Sequence, residues 1–208
     1  MPVISNFGVP VNGNDGTTLM PKLQYRFRVT FSKLGSATGE GSTKKAELTQ
    51  NVVSVSRPNM SHEEIVVDSY NSKTYLAGKH TWEPVTLVFR DDMNSHVIKA
   101  IGEQLNKQVD HGDQSSAIAG EGYKFEVSIE TLDGTNTPSS ANIFDTWKLK
   151  GCFIQNVQYG ELNYGTSEMV QVTLQLRYDT AEHVIDGTDQ LSNISRAQDP
   201  NNSSFAQG

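Results

Sequence analysis

The chain reads as a mainly β protein, an antiparallel β-sandwich or barrel carrying one α-helix. Three observations predict this. Apolar and polar residues alternate strictly in several stretches, which is the mark of half-buried antiparallel strands. Clusters of Gly, Asn, Asp and Ser punctuate those stretches as turns do. Only one segment has helical spacing: Met93, Val97, Ile98, Ile101, Leu105 and Val109.

The strongest alternation lies in 147–178, which predicts two long strands joined by a wide turn. In its second strand Val170, Val172, Leu174, Leu176 and Tyr178 form one face, and Gln171, Thr173, Gln175 and Arg177 the other. A first strand is predicted over 22–34, with Leu23, Tyr25, Phe27, Val29 and Phe31 inward. The polar run 35–45 predicts an extended hairpin to a second strand over 46–56, which Pro58 ends because it cannot donate to a ladder. A short strand over 64–68 leads into a polar loop over 69–79, in which Tyr70, Tyr75 and Leu76 are apolar. A further strand is expected over 80–90, with Pro84 marking an edge or bulge. Asp91 and Asp92 are placed to cap the helix. The strand over 123–132 turns Tyr123, Phe125, Val127 and Ile129 inward, leaving Lys124, Glu126, Ser128 and Glu130 outside. The organisation expected is an N-terminal arm over 1–21, one domain over 22–180 and a C-terminal tail over 181–208.

At 208 residues and 36% hydrophobic content, the core should be thin and much of the chain solvated. The net charge of −7 argues against gripping nucleic acid through its phosphates, though not against letting DNA pass. The N-terminus lacks a basic region followed by an apolar run, so no signal peptide is expected, and no segment has the apolar length of a membrane span. Cys152 is the only cysteine, which excludes an internal disulfide and fits synthesis in the cytosol.

Chemistry-bearing patterns are scarce. The five histidines have no zinc spacing, and the lone cysteine removes thiolate zinc sites. His62 before Glu63 and Glu64 reads as surface. Asp133–Gly134 and Asp186–Gly187 are turn signals without the spaced acids of a calcium loop. There is no GxGxxG, P-loop or GxSxG. Glu126 and Glu130 share a strand face, where solvation is the better reading than a glycosidase pair. No enzyme, cofactor or metal site is expected.

Three segments together resemble the tail tube proteins of contractile-tailed bacteriophages of the T-even type. They are Glu63–Gln104 (EEIVVDSYNSKTYLAGKHTWEPVTLVFRDDMNSHVIKAIGEQ), Leu48–Met60 (LTQNVVSVSRPNM) and Trp147–Tyr178, and the likeness covers roughly 22–180. It implies a structural virion protein: six subunits form a ring, and rings stack into a tube inside a sheath. Each subunit would give four strands to a continuous inner barrel. Twenty-four strands at about 4.8 Å spacing and about 40° tilt give a backbone radius of roughly 24 Å and a lumen of roughly 38 Å, wide enough for duplex DNA.

On this reading the lumen candidates are Lys124, Glu126, Ser128 and Glu130 with Gln171, Thr173 and Gln175. Candidates for contact between rings are Ser69, Tyr70, Asn71, Lys73, Tyr75, Leu76 and Lys79, with Lys44 and Lys45 of the 35–45 hairpin. The implied partners are further copies of the chain, a tail sheath protein, baseplate and tail terminator proteins, and DNA that slides through unheld. The location implied is the phage tail. A type VI secretion tube or a phage-tail-like bacteriocin would share the fold. A monomeric β-sandwich binding a carbohydrate or peptide is the alternative of a different class.

Overall fold

The alternating segments close two layers of antiparallel strands on one core. The computed structural model describes residues 22–34, 48–116, 122–133, 143–185, 188–189 and 191. Along these run β1 (Phe27–Ser32), β2 (Val52–Val55), β3 (Met60–Ser69), β4 (Ser72–Trp82), β5 (Val85–Arg90), α1 (His96–Gln108), β6 (Phe125–Leu132), β7 (Ile143–Gln158), β8 (Gln171–Arg177), β9 (Thr180–Ile185) and β10 (Thr188–Asp189). The mainly β, antiparallel character predicted from alternation is what the structure shows.

β7 belongs to both layers. Its first half pairs with β6 on one side and with β9 on the other, and β1 and β10 extend that first sheet outward. Its second half pairs with β8, which is followed by β5 and β2 in the second sheet. β8 and β9 run consecutively back along β7, so a single long hairpin is bent from one layer into the other. The bend sits at Gly151, whose φ of 68° is left-handed and which lies against Asp179. Asp179 fixes the corner: its N–H donates to the Lys150 carbonyl at 3.0 Å, and its carboxylate accepts from Lys124 at 2.6 Å.

The core lies between the sheets. Val29, Phe125, Val127 and Leu149 of the first layer and Leu87, Phe89, Val172 and Leu176 of the second are all buried, and the Phe31 and Phe89 rings meet at 5.9 Å. One face of α1 closes the core with Val97, Ala100 and Ile101. Gln108 holds the edge of β7, donating to the Ile154 carbonyl and accepting from its N–H, each at 3.0 Å.

Several boundaries differ from expectation. The strand expected from residue 46 begins only at Val52. Residues 48–51 are helical and turn Leu48 into the core, so α1 is not the sole helical segment. Residues 35–47, with Lys44 and Lys45, lie outside the described residues. β1 begins at Phe27, because a turn at 24–25 leaves Leu23 and Tyr25 exposed. The strand expected over 80–90 is divided by Glu83–Pro84, which carries the chain from the β3–β4 pair to the second sheet.

The helix N-cap is Ser95, not an aspartate, and Met93 lies exposed before the helix. Asp92 still serves the terminus: its Oδ1 accepts from the His96 N–H at 2.8 Å and its Oδ2 contacts His96 Nδ1. The His96 side-chain bond, with the backbone bond behind it, holds the Asp92 carboxyl below its usual pKa. The tail boundary expected at residue 181 falls inside β9. The stacking of Trp147 on His183, ring centroids 4.1 Å apart, and the Lys150–Glu182 ion pair fasten that strand to β7.

Asp145 of β7 is turned inward and only 6% exposed. Burial opposes its charge, yet hydrogen bonds from Lys22 and Thr131 and the charge of Arg57 outweigh burial and hold its carboxyl below the usual range. Lys22 Nζ lies 2.6 Å from Asp145 Oδ2. A depressed folded pKa gives stability that is full above the ordinary carboxylate pKa and is lost as the pH falls through the folded value. Asp145→Asn is therefore expected to cost about 1–3 kcal/mol at pH 7, with a smaller cost at pH 3, below the ordinary carboxylate pKa, where the unfolded parent chain has taken up the proton. Urea melts of both proteins at the two pH values check this.

Candidate assembly surfaces

The seven lumen candidates do not share a face. Alternation along β6 buries Phe125, Val127 and Ile129 and puts Glu126, Ser128 and Glu130 on the outside of the first sheet, with Lys124 just before them. Alternation along β8 buries Val172, Leu174 and Leu176 and puts Gln171, Thr173 and Gln175 on the outside of the second. The two outsides turn away from the common core on opposite sides, so a single pore can be lined by one set only.

The surfaces also differ in charge. On the first sheet Glu130 pairs with Arg28 at 2.6 Å, Glu126 with Lys33 at 2.8 Å and Lys124 with Asp179 at 2.6 Å. Ser128 stands between Thr30 and Lys148 in register. This is a salt-laced, solvent-type face whose individual pairs contribute little stability. On the second sheet Gln175 stands between Thr86 and Asn156, and Thr173 between Val88 and Gln158. That face is polar but uncharged along its middle, with Arg90 and Arg177 at its ends.

The second sheet has four strands and two edges, β2 and the C-terminal half of β7. Among the described residues no strand pairs with the outer side of either. Gln108 occupies the main-chain groups of Ile154, leaving the short stretch 156–158 beyond it, comparable in length to β2. Unpaired edges of this kind are avoided in soluble monomers.

The segment 69–79, expected as a loop, is part of a long β-hairpin. β3 and β4 pair from Met60↔Trp82 to Ser69↔Ser72 around the two-residue turn Tyr70–Asn71, with Tyr70 at φ 46°. β-Branched residues at Ile65, Val66 and Val67 and the matching partners Leu76, Tyr75 and Thr74 explain the pairing. The ring-contact candidates Ser69, Tyr70, Asn71, Lys73, Tyr75, Leu76 and Lys79 all lie on this hairpin and are exposed. Apolar side chains occupy both faces, and no third strand covers either edge among the described residues. A two-stranded ribbon of this kind is marginal alone in water and gains stability from a partner.

Among the described residues no group of three or more His, Cys, Asp or Glu side chains could hold a metal ion, and no helix is long and apolar enough to cross a membrane. Cys152 is buried, and burial pushes its thiol up to about 12. His62 lies on the exposed hairpin opposite His80, ring centroids 6.2 Å apart.

No family model matches the chain, and neither does any curated protein. Solved structures do. A chain of the anti-feeding prophage tube-terminating cap matches at 16% identity with a TM-score of 0.59, covering 85% of this chain and 99% of that one. A chain of the PVC sheath–tube complex, an extracellular contractile injection system in its extended state, matches at 14% identity with a TM-score of 0.57, over 89% and 99%. The chain has the fold found in contractile-injection tube assemblies. A chain of the six-fold symmetrised anti-feeding prophage baseplate shares this fold too, at 16% identity and a TM-score of 0.56, over 79% and 96%. The contractile-injection fold and the T-even resemblance of the sequence thus agree on architecture. Sequence reasoning missed the unpaired edges β2 and β7, because edge status depends on strand order and not on any residue type.

Proposed function

We propose that the protein is the tube subunit of a contractile phage tail, with six copies closing a ring and rings stacking into a conduit for duplex DNA. The observation that carries this reading is the second sheet: four strands, two edges unpaired among the described residues, and an outer face that is polar and uncharged along its middle. Pairing β2 of one copy with the 156–158 stretch of the next would remove both edges and continue the sheet into a barrel. The contractile-injection fold supports the same assembly. Gln171, Thr173 and Gln175 then line the pore, where uncharged side chains let phosphates slide without capture. Lys124, Glu126, Ser128 and Glu130 face outward, toward the sheath. The β3–β4 hairpin spans the gap between rings, and baseplate and terminator proteins meet the two ends of the tube. The role is structural and needs no catalysis or cofactor.

Electron microscopy of the purified protein tests assembly: six-fold rings or hollow rods are expected, and a monomer at high concentration would overturn the reading. Lysine substitution on either outer face tests the face assignment. Thr173→Lys with Gln175→Lys is expected to leave tubes intact and slow DNA ejection from assembled particles at least tenfold. Glu126→Lys with Glu130→Lys is expected to leave ejection within twofold. The opposite pattern would put the first sheet inside.

A further inference from the structure

Charge is divided unevenly between the two sheets. The chain carries 24 acidic and 17 basic residues, a net charge of −7. The strands of the second sheet, β2, β5, β8 and residues 153–158 of β7, nevertheless contain no Asp or Glu. Their only charged residues are Arg90 and Arg177. The strands of the first sheet hold Glu126, Glu130, Asp145, Glu182 and Asp189, and Arg28 and Lys150 there are paired with Glu130 and Glu182.

Alternation puts both arginines on the outer face of the second sheet. Arg90 follows Thr86 and Val88 and stands opposite Gln171. Arg177 follows Thr173 and Gln175 and stands opposite Phe153. Along β8 the two positions are six residues or roughly 20 Å apart, with uncharged polar side chains between them. Neither arginine forms an ion pair among the described residues. Arg90 donates to the Gln50 carbonyl at 3.1 Å, a neutral acceptor that leaves its charge uncompensated. The acids nearest in sequence are turned away or engaged. Asp91 continues the inward parity of β5 and buries its Oδ1, His96 binds Asp92, and Lys124 binds Asp179. Glu83 and Glu168 stand beyond the strand ends.

We propose that Arg90 and Arg177 form two cationic collars in the bore that attract the phosphate backbone of duplex DNA, an inference that rests on the tube reading and gives its inner wall a binding role. Six copies would set each arginine at one level of the ring, the two levels roughly 15 Å apart along an axis to which the strands tilt by about 40°. A duplex carries one negative charge per about 1.7 Å of its length, so an acidic subunit would repel it. The collars offset that repulsion where the duplex passes. In a lumen of roughly 38 Å the gap to each side of a duplex is roughly 9 Å, close to the Debye length of about 8 Å at physiological salt. At that range the attraction is non-specific and screened by salt, and the uncharged span between the collars leaves the duplex free to slide.

Co-sedimentation of tubes with labelled DNA tests this. Tubes of the unmodified protein are expected to pellet a short linear duplex at 50 mM salt and at least tenfold less of it at 500 mM. A relaxed closed circle of the same sequence has no end by which to enter the bore and is expected to stay in solution. Arg90→Gln with Arg177→Gln should lower retention of the linear duplex at least tenfold, whereas Arg90→Lys with Arg177→Lys should hold it within threefold. Arg28→Gln with Lys148→Gln, which removes two cations from the outer face of the first sheet, should hold it within twofold. Tubes that retain no linear duplex, retain the circle equally or retain the duplex regardless of salt would overturn the collars while leaving the tube reading intact. Full retention by the glutamine pair would do the same. Should the glutamine pair form no rods, the comparisons of salt and of circle with line on unmodified tubes decide the matter. Failure of the unmodified protein to form rods would instead overturn the tube reading.

Discussion

Gly151→Ala is expected to lower the stability of the subunit by about 2–4 kcal/mol, more than any exposed substitution should. Two effects add. The backbone at Gly151 is left-handed, φ 68°, a conformation that costs an alanine roughly 1–2 kcal/mol. The new methyl would also lie 2.1 Å from Asp179 Oδ2, so Asp179 must rotate and release Lys124. Gly151→Asn tests the backbone contribution, because asparagine tolerates the left-handed region better while keeping the clash. Adding Asp179→Ala to Gly151→Ala removes the carboxylate clash, and the single Asp179→Ala variant corrects for the lost Lys124 ion pair. Urea unfolding with an unchanged m-value reads each variant. A loss below about 0.5 kcal/mol for Gly151→Ala would show that the corner is not where the hairpin is held.

Ile65→Lys with Val66→Lys is expected to abolish tubes while leaving the subunit folded. The two side chains point to opposite faces of the β3–β4 hairpin and both are exposed, at 51% and 44%. Neither packs on the core, so the unfolding free energy should change by no more than about 0.5 kcal/mol per site. In an assembled tube each charge would be buried against an apolar partner without a counter-ion, which association cannot tolerate. The expected outcome is a more soluble protein on size-exclusion chromatography, an unchanged urea midpoint and no rods by electron microscopy. Rods of ordinary length would remove the hairpin from the contact between rings.

The strands whose one face is buried were legible, because a period of two is enforced wherever core and solvent lie on opposite sides. β6 and β8 show this almost residue by residue. The hairpin was legible only in part. Ile65, Val66 and Val67 are consecutive apolar residues, and with no subunit core on either face there is no alternation to read. Leu48 misled for a different reason: one buried leucine in a short helical turn fits a strand pattern equally well. β9 lies in the stretch that reads as tail by composition, yet Glu182 and His183 find partners on β7, in Lys150 and Trp147. The lumen candidates do not form one surface. Alternation shows which side chains leave the core, and only strand order shows which of two opposite outsides they reach.

β7 has a mechanical consequence. In the proposed tube the wall would carry axial load, and a two-layer wall under load fails when its layers shear past one another. Here the layers are not merely packed together, since one continuous backbone passes from the first sheet into the second at Gly151 and is hydrogen-bonded in both. Sliding one layer against the other would therefore have to break main-chain pairing, beyond displacing apolar side chains. Force applied to the outer surface of such a subunit reaches its inner surface along a covalent chain, and the wall moves as one piece.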